Sequence, residues 1–293
     1  MARAARGLSE RQNRRMKSMA ISLNNLRTVR ADKAPRVLIY GPPGIGKTTL
    51  ASEFPNAVFL QIEDGTPGDV ELTSFGKLDN FGDVMDALGA LYQEDHGFNT
   101  VVIDSVTEMQ RLIYAETCAR GDDKGNAKAN IEDFGYGKGY VYAMRVAQEF
   151  IDGINFLRTD RNMAVVLIAH SSVQRFDDPE TVSYDRYEIE IRSSDKANSN
   201  LRGLFEREMD AIILLKQPVT VKTEEQGFNK ERARAGGGGT TLMHAVGRPA
   251  YTAKNRYGIP PEIRYDKGTG FDALAPYFPD FVGLAPAGQK EAA

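Results

Sequence analysis

Eight residues restrict this chain more than any others. Gly41-Pro-Pro-Gly-Ile-Gly-Lys-Thr48 fits G-x-x-x-x-G-K-[ST], the pattern of a phosphate-binding loop. Its flanks fit too. Arg36-Val-Leu-Ile-Tyr40 is apolar and β-prone, and Thr48 to Phe54 is a short helix candidate. The pattern therefore predicts a strand, a glycine turn and a helix. The candidate phosphate contacts are Gly41, Pro42, Pro43, Gly44, Ile45, Gly46, Lys47, Thr48 and Thr49. Glycines let backbone N–H groups close around phosphate oxygens, and a helix N-terminus adds partial positive charge. Lys47 is expected to reach the β- and γ-phosphates of ATP, and Thr48 to hold Mg²⁺ through its hydroxyl.

The rest of the chain repeats strand and helix signals. Apolar runs at Val58–Ile62, Thr100–Asp104, Met163–Ala169 and Met209–Leu215 read as strands. Asn80–Gln93, Val106–Ala119 and Gly139–Phe156 read as helices, the first with Asn80 as N-cap. Nearly continuous apolar strands alternating with helices predict a parallel sheet covered on both faces, an α/β fold. Beyond residue 215 the pattern changes. Val219–Thr223, Thr240–Val246 and Pro249–Ala253 read as short strands, the last two joined by a turn through Gly247-Arg248. They predict an antiparallel extension of the sheet, with Gly236–Gly239 as a flexible loop.

Composition narrows the class. No apolar run approaches eighteen residues, so no membrane span is expected. The single cysteine, Cys118, excludes a disulfide framework and a cysteine-based metal site, which suits a reducing, cytoplasmic compartment. A net charge of −3 leaves no global footprint for nucleic acid. The first 36 residues are nevertheless basic, with ten Lys and Arg against Glu10 and Asp32. This stretch reads as a solvated tail or as a nucleic-acid-binding arm. It has no apolar core of a secretory signal, and Met16 and Met19 are alternative starts. The expected organisation is a basic tail over 1–33, a core domain over 34–282 and a second tail over 283–293.

Three strand ends extend the phosphate site. Asp104 closes an apolar strand and is placed to share Mg²⁺ with Thr48. Ser105 follows it, where many ATPases carry a water-activating glutamate, so a base must come from elsewhere. Glu63, just past the second strand, is the best candidate to orient water, with Asp64 as runner-up. A merely polar strand end is the alternative. His170 closes the Met163–Ala169 strand and could bond the γ-phosphate, or be structural.

Taken together, Ile39–Thr49, Ile62–Gly65, Val102–Ser105, Ile168–His170 and Ala253–Arg256 resemble the phage-type RecA-like ATPases. These include the Sak-type single-strand annealing and recombination proteins, often labelled only as AAA or nucleotide-binding proteins. The resemblance covers about residues 34–280. It implies a RecA-like P-loop NTPase core with a mostly parallel sheet covered by helices and extended by C-terminal antiparallel strands. It implies Glu63 as base and His170 as γ-phosphate sensor. It also matches Lys254-Asn-Arg-Tyr-Gly258 to a Lys-x-Arg-x-Gly signature whose basic pair reaches a neighbouring subunit's ATP. Lys254 and Arg256 would then act between protomers of a ring or filament, where such an arginine contributes about 10³–10⁵ in rate.

Two segments are candidates for single-stranded DNA. One follows the His170 strand and carries Arg175, Tyr184, Arg186, Tyr187 and Arg192. The other is Lys230, Arg232 and Arg234 before the glycine run. Basic residues interleaved with tyrosines suit phosphate contact and base stacking. An ATP-site lid and a hairpin tip are the alternatives. The functional expectation is an ATPase acting on single-stranded DNA in phage recombination or replication, in the host cytoplasm. A single-strand binding protein or an exonuclease is a candidate partner. The competing classes are a nucleotide-switch loader with little hydrolysis and a small-molecule kinase.

Overall fold

The computed structural model describes residues 32–65, 67–226, 230–237 and 239–282; over 219–226 and 230–237 the description is of backbone alone. The basic segment before Asp32 and the tail from 283 lie outside the described residues.

The chain opens with β1 (Arg36–Gly41), α1 (Lys47–Ser52), β2 (Ala57–Gln61), β3 (Thr73–Lys77) and α2 (Phe81–Gln93). It continues with β4 (Thr100–Asp104), α3 (Val106–Arg120), α4 (Lys138–Asp160), β5 (Ala164–Phe176) and β6 (Tyr184–Ile189). The last third holds α5 (Leu201–Glu208), β7 (Ala211–Lys216), β8 (Val219–Gln226), β9 (Lys230–Gly237), β10 (Thr241–His244), β11 (Lys254–Asn255), β12 (Glu262–Tyr265) and α6 (Gly270–Leu274). The main sheet runs β12-β10-β7-β1-β5-β4-β2-β3, with β11 on β7 and β6 on β5. From β7 to β3 the neighbours are parallel, whereas β10, β11 and β12 add antiparallel pairs. This is the α/β architecture that the sequence pattern predicts.

Side-chain alternation explains why helices cover both faces. Leu38 and Tyr40 of β1 turn to the face that receives Val84 and Leu88 of α2, Met109 of α3, and Phe150 and Ile154 of α4. Val37 and Ile39 turn the other way, against Leu50 of α1 and Leu274 of α6. Strands buried on both faces have no polar side to show, hence their continuous apolar runs. The predicted N-cap is present: the Asn80 side chain accepts from the Asp83 amide at the start of α2.

Four local expectations are corrected. First, β5 does not stop at Ala169. It runs on to Phe176 and returns as β6, pairing Ser171 with Ile189 and Phe176 with Tyr184. The apolar run marks where the strand leaves the core, not where its hydrogen bonds end. The segment that follows His170 is thus a β-hairpin followed by α5. Second, the turn at Gly247-Arg248 does not join two strands. Arg248 and Tyr251 exchange backbone hydrogen bonds in a tight turn around Pro249, which has no N–H to pair. β10 pairs instead with β7 and β12. Third, β8 and β9 form a separate two-stranded sheet rather than an extension of the main one. Fourth, Gly236 and Gly237 of the expected loop pair with Thr220 and Val219 at the end of β9.

A buried ion network ties the starts of β1 and β7 together. Asp210 sits between the Arg36 guanidinium at 3.1 Å, Arg158 at 2.9 Å and Arg256 at 3.0 Å, and its side chain is 6% exposed. The Tyr257 hydroxyl donates to it as well. Burial works against its charge, but the bonds and charge of Arg36, with Arg158, outweigh it and hold the carboxyl below its ordinary value. Removing one partner of a buried ion cluster costs about 3–5 kcal/mol, because the remaining charges stay buried and unpaired. Asp210→Ala is therefore expected to lower the free energy of unfolding by that amount, read as a fall in the denaturant midpoint at unchanged slope. An unchanged midpoint would show that the network contributes nothing.

Candidate nucleotide site

The phosphate loop leaves β1 at Gly41, where a side chain has no room: an added Cβ would lie 2.5 Å from the Leu215 carbonyl oxygen. Gly44 and Gly46 take φ of 73° and 104°, the left-handed region that glycine enters without strain. Lys47 folds back over the loop, its Nζ donating to the carbonyls of Gly41 and Pro42 at 3.0 Å each. Burial pushes the Lys47 ammonium down, against the pull of Asp104 and Glu63.

Strand register sets the rest. Gly41 pairs with His170, and Asp104 pairs with Ile168 on one side and Gln61 on the other. Because these strands are parallel, β1, β4 and β2 end, and β5 leaves the core, on one edge, where Asp104, His170 and the segments that follow β1 and β2 face one cavity of about 450 Å³. Pro43, Gly44, Gly46, Lys47, Thr48 and Thr49 line it from the loop. Glu63, Asp64, Gly65, Pro67, Asp104, His170 and Lys267 line it from the other sides. Gly41, Pro42 and Ile45 do not line it. Gly41 and Pro42 hold Lys47, and Ile45 packs against the core.

The Thr48 hydroxyl donates to Asp104 Oδ2 at 2.8 Å. Burial pushes the Asp104 carboxyl up to about 6; the Thr48 bond works against this and the Glu63 charge adds to it. The Asp104 carbonyl accepts from the amides of Ile62 and Glu63, which fixes where the chain leaves β2. Glu63 and His170 meet across the Asp104 strand: Nε2 lies 3.2 Å from Oε1 and 3.3 Å from Oε2. The Thr107 hydroxyl accepts the His170 amide, and His170 Nδ1 is buried without a hydrogen-bond partner. The hydrogen bond from His170 holds the Glu63 carboxyl below its ordinary value, with a further bond from Ser105. Ser105 thus cannot replace the missing glutamate but does engage the one at position 63. Asp64 is turned outward to Lys77 at 3.2 Å.

Other expected residues lie elsewhere. Lys254 and Arg256 sit at the opposite edge of the sheet, where β11 pairs with the start of β7. Lys254 donates to the carbonyls of Glu206 and Arg207, and Arg256 binds Asp210 with its side chain 55% exposed. Among the DNA candidates, Arg175 and Arg192 are exposed, although Arg192 lies over the Tyr140 ring, 3.5 Å from its centroid. Tyr184 is half-buried and donates to Asp178. Arg186 is 17% exposed, lies 2.8 Å from Glu188, donates to Thr252 and covers the Phe176 ring, so it is held against the hairpin. Tyr187 is likewise half-buried, its ring under Lys216. The side chains of Lys230, Arg232 and Arg234 lie outside the described residues. The sequence reading missed Thr107, the Ser105 bond and Lys267. The first two carry no spacing signal, and Lys267 comes to the cavity only through the loop after β12.

Among the described residues no group of three or more His, Cys, Asp or Glu could hold a metal ion, and no helix is long and apolar enough to cross a membrane. A glycine loop closing the first strand of a covered parallel sheet, with a carboxylate on a second strand end hydrogen-bonded to its threonine, defines a P-loop nucleoside triphosphatase domain. A family model described as an AAA domain matches residues 33–257, and the chain belongs to that family. Among solved structures the chain is similar to that of the RadB recombinase, with 13% identity and a TM-score of 0.39, over 73% of this chain and 81% of that one. No curated protein matches it significantly.

The Glu63–His170 pair makes stability depend on pH. The bond to Glu63 raises the His170 pKa above 6.5, so its contribution is complete below that value and lost as pH rises through the raised one. The Glu63 pKa is lowered from 4.5, so its contribution is present above that value and lost as pH falls. The pair is therefore strongest between about 4.5 and 6.5. The drop in Tm caused by His170→Ala is expected to be larger at pH 6 than at about pH 8.5. Equal drops at the two pH values would contradict the coupling.

Proposed function

We propose that this chain binds ATP with Mg²⁺ and hydrolyses it at the cavity between the P-loop and the ends of β2, β4 and β5. The observation that carries the reading is the Glu63–His170 pair, 3.2 Å apart in the same cavity as Lys47, Thr48 and Asp104. A phosphoryl site needs little covalent chemistry from the protein; it needs cations, N–H donors and one group that orients water. The P-loop amides hold the β-phosphate. Lys47 exchanges its two carbonyl partners for β- and γ-oxygens. Glu63 orients water in line with the γ-phosphate and takes its proton, and His170 bonds the γ-phosphate and carries its loss to the hairpin that continues β5.

The residues fit a divalent cation. Thr48 and Asp104 present hard oxygen donors 2.8 Å apart, and the Asp104 carboxyl, raised to about 6 by burial, is one whose charged form a cation favours. Two protein oxygens suit Mg²⁺, which keeps water and phosphate oxygens as its other ligands. When bound, it neutralises charge on the β- and γ-oxygens.

The biological setting we infer is phage recombination or replication on single-stranded DNA. Its support is the resemblance carried by Glu63, His170 and Lys254-Asn-Arg256, with exposed Arg175 and Arg192 as DNA contacts. Lys254 and Arg256 lie too far from their own cavity to serve it. The half-exposed guanidinium of Arg256 suits a role at a neighbouring protomer's ATP in a ring or filament. The domain bounds of 34–282, with a tail on either side, belong to the same reading.

One observation favours a second reading. A Glu63 committed to His170 is less free to hold water, as in a nucleotide switch that barely hydrolyses. Steady-state hydrolysis with and without single-stranded DNA separates the two. We expect DNA to stimulate the wild type. Glu63→Gln is expected to lower kcat about 10²- to 10⁴-fold while ATP still binds, and Lys47→Ala to abolish binding. No stimulation, together with an unchanged rate in Glu63→Gln, would sink the hydrolytic reading.

A further inference from the structure

The cavity has a second lysine that no motif predicts. Lys267 lies in the turn between β12 and α6, more than two hundred residues from Lys47, and lines the same cavity. Among the lining residues, Lys47 and Lys267 are the only Lys or Arg, against the carboxylates of Glu63, Asp64 and Asp104. With His170 neutral, the lining carries one more negative than positive side chain. A triphosphate entering it gains from every available cation.

The turn is held in place. Glu53, which caps the C-terminal end of α1, accepts four hydrogen bonds. Oε1 takes the Tyr265 hydroxyl at 3.0 Å and the Gly268 amide at 2.8 Å. Oε2 takes the amides of Gly270 at 2.5 Å and Phe271 at 3.1 Å. The close approach needs glycine: a Cβ on Gly270 would lie 2.4 Å from Leu50 and 2.5 Å from the Tyr265 ring. The Tyr265 ring also abuts Gly46, 3.3 Å from where its Cβ would be. The carboxylate that ends the P-loop helix therefore fixes the turn beside the P-loop itself. Lys267 is 63% exposed, and its Nζ meets Asp69 Oδ2 at 3.3 Å, on the segment that follows Glu63. An exposed pair of this kind contributes little by itself, so a polyphosphate can displace Asp69 at small cost.

We propose that Lys267 is a second phosphate-contacting lysine of the nucleotide site, positioned by Glu53 and exchanging Asp69 for the bound nucleotide. The proposal rests on the reading of the cavity as an ATP site. It deepens that reading by adding a specificity contact for the polyphosphate chain. It also gives Glu53 the part of a positioning residue.

The test is calorimetric titration of the full chain with Mg²⁺ and ATP at low and high salt. Lys267→Ala is expected to raise Kd about tenfold at low salt, about 1.4 kcal/mol, with Tm unchanged. The loss should shrink at high salt, as an exposed charge contact requires. Lys267→Arg should stay near the wild type, and Asp69→Ala should bind as tightly or more tightly. Wild-type affinity in Lys267→Ala, or a loss independent of salt, would overturn the proposal while leaving the ATP site standing. Equal binding by the wild type and Lys47→Ala would overturn the ATP site and the proposal together.

Discussion

Parallel register is the constraint on which the rest of this structure depends. Gly41 lies beside His170, and Asp104 lies between Ile168 and Gln61. Asp104 and His170 therefore reach one edge of the sheet directly from their strands, and the P-loop and the Glu63 segment leave β1 and β2 at that same edge. A slip of one residue would turn each strand's end to the opposite face. Continuous apolar runs packed from both sides hold the register: Val37 and Ile39 against α1, Leu38 and Tyr40 against the larger helical layer.

The electrostatics of the cavity follow from that edge. Three carboxylates and one buried lysine stand within it. Burial raises the Asp104 carboxyl and lowers the Lys47 ammonium, so both charged forms are strained where the proposed phosphates and cation would relieve them. Glu63 is different. His170 and Ser105 bond its carboxylate and keep it charged. A charged carboxylate can accept a hydrogen bond from water, and the same bonds make it a weaker proton acceptor. The arrangement also explains how a chain with serine after Asp104 keeps a carboxylate near the site. The opposite edge has its own charge cluster around Asp210, which joins Arg256 to the body of the domain.

What was legible in the sequence has a physical pattern. The P-loop, Asp104, Glu63 and His170 all lie at or just past the ends of apolar runs, and an apolar run in a parallel sheet points to its own C-terminal edge. β4 matches its apolar run to the residue because the strand pairing ends with that run, at Asp104. β5 was read short because burial stops at Ala169 while pairing continues to Phe176. Arg186 reads as a candidate DNA contact because composition gives charge but not partners, and Glu188 and Thr252 are partners that no spacing reveals. Lys267 was invisible for another reason. Its place depends on the side chain of Glu53, an unremarkable helix-end residue, meeting backbone amides more than two hundred positions later.

The central claim is that these strand ends act on one nucleotide. A crystal structure with Mg²⁺ and a non-hydrolysable ATP analogue tests it most directly. The account predicts phosphates in the P-loop, Lys47 Nζ moved from the carbonyls of Gly41 and Pro42 to β- and γ-oxygens, and His170 within hydrogen-bond reach of the γ-phosphate. It also predicts a water between that phosphate and Glu63. A nucleotide bound away from the P-loop, or a γ-phosphate out of reach of both Glu63 and His170, would contradict it.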